Sequence, residues 1–140
     1  MKFMLIMRAT DEAKAAYANI PFAEVIEKMG AYNESMIKAG VMLAGEGLAD
    51  DMTQNFVVDF AEDTPVVTDG PYGETHELFN GFWIIEVSSK EEAAEWARRA
   101  PLSGSKLEVR RVTDASDFAE FADSETLKKE AAWRAEAGQK

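Results

Sequence analysis

The sequence predicts an α+β domain in which two helices cover one face of a four-stranded sheet. Three observations carry that reading. The stretch Phe82 to Val87 (FWIIEV) is apolar on both faces of a period-2 strand, with Phe82, Ile84 and Glu86 on one side and Trp83, Ile85 and Val87 on the other. Lys2 to Arg8 (KFMLIMR) behaves in the same way, with Phe3, Leu5 and Met7 opposed to Met4 and Ile6. Between them, Pro21 to Ala39 places Phe22, Val25, Ile26, Met29, Tyr32, Met36 and Ile37 at helical spacing, with Glu24, Glu27, Lys28 and Glu34 left outside.

The remaining elements follow in chain order. Thr10 to Asn19 is rich in alanine and charge and predicts a short helical turn. Pro21 suits the first turn of the long helix and Gly40 its C-terminal cap. Val41 to Ala49 (VMLAGEGLA) is a strand interrupted by Gly45 and Gly47, a sign of a bulge or of close approach by another chain segment or a ligand. In it Glu46 shares a face with Met42, Ala44 and Leu48, so its carboxylate belongs either to an exposed edge or to a site.

Thr53 to Phe60 and Pro65 to Thr68 alternate and read as a hairpin arm joined by Ala61-Glu62-Asp63-Thr64. Asp69-Gly70-Pro71-Tyr72-Gly73 is turn chemistry, with glycines for unusual φ and a proline for the corner. After the apolar central strand, Ser89-Lys90-Glu91-Glu92 is a capping box. The helix it opens presents Ala93, Trp96, Ala97 and Ala100 on one face and stops at Pro101. Lys106 to Val112 is a last strand, buried through Leu107 and Val109. Thr113 to Lys140 changes character and predicts two helices, capped at Asp114 and Ser124, as a C-terminal helical extension to the domain of residues 1–112.

The core order, strand-helix-strand-strand-helix-strand, is the split βαβ arrangement of ferredoxin-like domains with an inserted arm. Two helices in that order lie on one sheet face, yet the first and central strands are apolar on both. The second face therefore needs a cover. A sheet-to-sheet homodimer supplies one, and the C-terminal helices folding back within one chain would be another.

Composition narrows the function. Twenty-six acidic residues against 15 basic give a net charge of −11 over 140 residues, which repels phosphate backbones and anionic membranes. Nucleic acid is not an expected partner. No apolar run approaches the length of a membrane span, and the N-terminus lacks the pattern of a secretory signal, so the expectation is a soluble cytoplasmic protein. With one histidine and no cysteine, the usual zinc sites are excluded. The carboxylates lack calcium-loop spacing, and haem would need His76 on a loop. No metal or organic cofactor is expected.

The candidate chemistry lies between Asp69 and Glu77. Asp69 is either a turn carboxylate that caps local amides or a general base held beside the central strand. His76, between Glu74 and Glu77, is either an exposed loop histidine or the group able to shuttle protons near neutral pH. In an extended segment Glu74 and His76 face the same way. Tyr72, Tyr32 and Trp83 read as pocket lining or core, and Arg8 as a carboxylate-binding residue or a solvated strand end.

Asp69 to Phe82 (DGPYGETHELFNGF) resembles the YCII-related family, in particular the branch named for a motif written DGPFAETKE. Asp69, Gly70, Pro71, Glu74, Thr75, Glu77, Gly81 and Phe82 match the family pattern, while Tyr72 stands for phenylalanine, Gly73 for alanine and His76 for lysine. The likeness extends through the first strand, Gly40 to Leu48 and Lys106 to Arg110, and leaves the tail unmatched. It implies a dimeric α/β barrel built from ferredoxin-like subunits. It also implies a cleft faced by a histidine and an aspartate, with a few relatives acting on chlorinated aromatic breakdown products. The motif-named branch often accompanies genes for alternative sigma factors. Two functions follow as expectations: cofactor-independent proton-transfer catalysis on a small ligand by Asp69 and His76, with Glu46, Tyr72, Glu74 and Arg8 binding substrate, or a non-catalytic ligand-binding or regulatory module.

Overall fold

Strands that are apolar on both faces take central places in a sheet, and the two such stretches of this chain are neighbours in the structure. The computed structural model describes residues 1–49, 52–69 and 79–139. The elements are β1 (Lys2–Arg8), α1 (Asp11–Tyr17), α2 (Phe22–Lys38), β2 (Met42–Gly47), β3 (Phe56–Asp59), β4 (Val66–Asp69), β5 (Phe79–Glu86), α3 (Lys90–Arg98), β6 (Leu107–Arg111) and α4 (Glu125–Glu136), with 3₁₀ turns at Met52–Gln54 and Ala115–Phe121. Four strands pair antiparallel in the order β2-β5-β1-β6, the ferredoxin-like arrangement, and β3-β4 forms a separate two-stranded sheet.

The core lies on the face covered by α2 and α3. Phe3 and Leu5 of β1 and Trp83, Ile85 and Val87 of the central strand close on Tyr32 and Met36 of α2 and on Ala93 and Trp96 of α3. Leu5, Met36 and Ile85 are fully buried. Tyr32 and Trp83 meet edge to face, with ring centroids 5.2 Å apart at 87°. Both are core residues rather than lining for an open pocket. The indole Nε1 of Trp83 donates to Asn33 Oδ1 at 2.7 Å, and the Tyr32 hydroxyl donates to the Trp96 carbonyl at 2.8 Å.

Burial has a measurable consequence for Tyr32. Desolvation pushes its phenol up to about 12 against an ordinary 10.0, with Arg99 pulling weakly the other way. Between those two values the unfolded chain gives up the phenol proton while the native chain keeps it. Stability therefore falls as pH rises through that window, by about 1–2 kcal/mol. Urea melts on either side of the window will show this loss, and Tyr32→Phe will remove that part of it.

Local signals hold well where they depend on the backbone alone. Thr10 caps α1, its hydroxyl accepting from the Ala13 amide at 3.0 Å. Gly40 ends α2 with φ 71°. Ser89 caps α3 by accepting from the Glu92 amide at 3.1 Å. The Glu92 carboxylate reaches back to the amide and hydroxyl of Ser88, one residue short of a closed capping box, and those bonds lower its pKa. The reciprocal box occurs instead at Asp114 and Asp117, at the start of the tail.

Three expectations change in three dimensions. Central strand β5 starts at Phe79, before the apolar run, because pairing with Arg8 extends it. A bulge between Met42 and Ala44 turns Met42 to the core opposite Ile85, so it leaves the face of Glu46. Gly45 sits under the Trp83 indole, where a Cβ would come within 2.7 Å of Cδ1. In α2 the apolar stripe is covered only along the line of Met29, Tyr32 and Met36: Phe22, Ile26 and Ile37 stand 56–75% exposed. Periodicity marks the apolar side of a helix but not how far a sheet extends beneath it.

The other sheet face carries Met4, Ile6, Phe82 and Ile84 at its centre, with Met4 opposite Ile84 and Ile6 opposite Phe82. The tail meets this face at its Lys2 end without packing extensively on its centre. Among the described residues α4 packs extensively against no strand, none of its residues is buried, and Phe121 and Trp133 stand exposed. The arm is apolar as well: Phe56, Val58, Phe60 and Val67 share one face and are largely in solvent.

Candidate functional site

Alternation along the strands sends Glu46 of β2, Phe82 of β5, Ile6 of β1 and Glu108 of β6 to the face away from the helices, and register sets them in one row across the sheet. At strand spacing the two ends of the row are about 14 Å apart. The row thus has an apolar middle with a carboxylate at either end. One step along β1 from Ile6, Arg8 stands opposite Phe79, the first residue of β5.

Arg8 is not a solvated strand end. Its guanidinium forms a salt bridge with Glu108, both side chains being about one-third exposed or less. Arg110 Nε lies 3.8 Å from the other Glu108 oxygen. The Arg8 backbone is held too, its amide donating to the Lys106 carbonyl at 3.2 Å and its carbonyl accepting from Ser105 Oγ at 2.7 Å. Beside this pair an open groove runs past Thr10, Glu12, Gly104, Ser105 and Lys106. Gly104 is required there: its φ is 65°, and a Cβ would lie 2.6 Å from the Glu12 carbonyl oxygen. The sequence reading missed Glu108 and this groove. Alternation in Leu107-Glu108-Val109 placed Glu108 away from the core, but its partner lies 100 residues away.

Glu46 is exposed on the outer face of β2, beside Phe82. Asp69 closes β4 with its backbone paired opposite Phe56. Tyr72, Glu74 and His76 fall outside the described residues. The two ends of their segment are described: Asp69 in the arm and Phe79 next to Arg8. Arg8 and Glu46 are therefore brought to one end of one sheet face, the end at which the chain re-enters from the motif. Among the described residues no group of three or more His, Cys, Asp or Glu is placed to hold a metal ion, and no helix is long and apolar enough to cross a membrane.

Among solved structures, the chain is similar to 5-chloro-2-hydroxyhydroquinone dehydrochlorinase (TftG) from Burkholderia phenoliruptrix AC1100, in complex with 2,5-dihydroxybenzoquinone. The identity is 13% and the TM-score 0.43, over 84% of this chain and 98% of that one. No curated protein matches the sequence. The YCII-related domain matches residues 1–116, which takes in β1 to β6 and ends inside the 3₁₀ segment Ala115–Phe121, and the chain belongs to that family.

Proposed function

We propose that this protein binds a small molecule on the outer sheet face beside the Asp69–Phe79 link and carries out cofactor-independent proton transfer on it. One observation carries the reading: Glu46, Glu108 and Arg8 are set around an apolar floor of Phe82 and Ile6, at the point where the chain returns from the motif. An apolar floor with a few convergent charges is the chemistry of a small-ligand site. Membership of the YCII-related family fits it.

In this reading Asp69 is the general base that takes a proton from the ligand, and His76 is the acid that returns one. Arg8, steadied by Glu108, offers guanidinium donors to an anionic oxygen of the substrate. Glu46, Tyr72 and Glu74 orient the ligand. Elimination or isomerisation of a small, hydroxylated aromatic fits these groups, and no metal or organic cofactor is called on. The working unit is a homodimer joined through the outer faces. The apolar centre of that face and the greasy side of the arm then leave water together, and about 800 Å² per partner suffices for a stable pair.

The test is a thermal-shift screen against phenolic and small-acid libraries, followed by turnover assays on the ligands found. Asp69→Asn and His76→Ala are expected to lower turnover by about 10²–10⁴-fold, the usual weight of a positioned acid or base. Binding that survives in both variants, with no turnover in any of the proteins, assigns the site to a non-catalytic ligand-binding or regulatory module. A library in which nothing shifts the melting point removes the small-molecule reading altogether.

A further inference from the structure

The tail forms a cavity of its own at the opposite end of β1. It has a volume of about 420 Å³, within the range of small-molecule sites. One side is the start of the sheet at Lys2 and the strand-to-tail corner at Thr113 and Asp114; the other is built by the 3₁₀ segment and α4. The wall is apolar, made by the Phe118 ring and Leu127, with Ala115, Ala122 and Ala131 leaving the space that larger side chains would fill. Most of this wall lies beyond residue 116, outside the family domain.

The corner is firmly set. Asp114 accepts from the Ser116 amide at 2.8 Å, Asp117 accepts from the Asp114 amide at 2.7 Å, and Arg111 donates to Asp117 at 2.9 Å. The side chains of α4, by contrast, are held to the rest of the chain by little burial. A fixed corner facing the Leu127 and Ala131 side of an underpacked helix is a place where a ligand gains more from burial than it displaces.

Charge selects the ligand. Lys2, Lys128 and Arg134 face Asp114 and Glu130 in the lining, a local excess of cation in a chain with 26 acids against 15 bases. Arg111 answers Asp114, and Arg134 answers Glu130 at 2.8 Å. Lys128 meets Glu125 at 3.1 Å through side chains that are more than half exposed, a pair weak enough for a ligand carboxylate to compete with. We propose that this cavity binds an amphipathic monocarboxylate, its apolar body against Phe118 and Leu127 and its carboxylate towards Lys2 and Lys128. This site is separate from the one at the Arg8 end of the sheet and does not depend on it.

Titration calorimetry of the full chain with decanoate, decanol and decylamine tests the assignment. Decanoate is expected to bind, decanol more weakly and decylamine not at all. Ala131→Trp fills the cavity and is expected to reduce decanoate affinity at least tenfold without moving the melting point of the free protein, since α4 contributes no buried residue to the core. The Lys2→Ser/Lys128→Ser double variant is expected to weaken decanoate about fivefold and leave decanol unchanged. Absence of decanoate binding, or binding unaltered by Ala131→Trp, overturns the site. Equal affinity for decanol and decanoate overturns its charge selectivity.

Discussion

The parent chain is expected to sediment as the proposed dimer, and an Ile84→Asp chain as a monomer at the same concentrations. Ile84 sits at the centre of the outer sheet face, opposite Met4 on β1 and Ala44 on β2, with Phe82 beside it on the same strand. The nearest charge along β5 on that face is another carboxylate, Glu86, which stands opposite Lys2, so an aspartate at Ile84 would add a second buried carboxylate if two faces closed on one another. Desolvating such a group costs several kcal/mol, and two-fold symmetry charges the interface with it twice. A penalty of about 4 kcal/mol already raises the dissociation constant about a thousandfold. In the isolated chain Ile84 is partly exposed and lies outside the main core cluster, so circular dichroism and the core should be little changed. A parent that sediments as a single chain at micromolar concentration would end the face-to-face pairing, and so would a variant that remains dimeric.

Trp83→Ala is expected to be the most damaging single change in the core, costing about 3–5 kcal/mol of a stability that is normally only about 5–15. The indole is 3% exposed, its edge meets Tyr32, and Gly45 lies under it without a Cβ. Removing it leaves a cavity that this glycine cannot fill and takes the donor from Asn33. Urea denaturation should show a lower midpoint at an unchanged slope. Trp83→Phe separates the two contributions. It keeps most of the packing and loses the hydrogen bond, so its cost should be nearer 1–2 kcal/mol. A cost for alanine no greater than for phenylalanine would mean that the ring is not the keystone of the sheet-helix interface.

The site was legible in the sequence only in part. Glu46 stood out as a carboxylate between glycines in an apolar strand, and it does lie on the outer face, but the bulge at Met42 removed one of the apolar companions assigned to it. Arg8 was visible as a strand-end cation. Its tie to Glu108 was not, because two residues 100 apart become neighbours only once β6 is laid against β1. The groove by Gly104 was hidden for the same reason, since its crowding comes from the backbone of α1 rather than from anything near it in the chain. The motif residues Asp69, Tyr72, Glu74 and His76 were legible as a pattern shared with a family, a different kind of information from geometry.

By itself the sequence determined the inward and outward faces of β1 and β5, the serine cap of α3, the arm and the order of elements. These depend on repeats of 2 and 3.6 residues and on side chains reaching amides a few positions away, interactions that the local chain makes regardless of its surroundings. Only the tertiary structure decided the bulge in β2, how much of α2 is covered, the bond between Arg8 and Glu108, and the cavity under the tail. Each of these depends on which strand lies beside which and how closely they pack, and distance along the chain carries no measure of that.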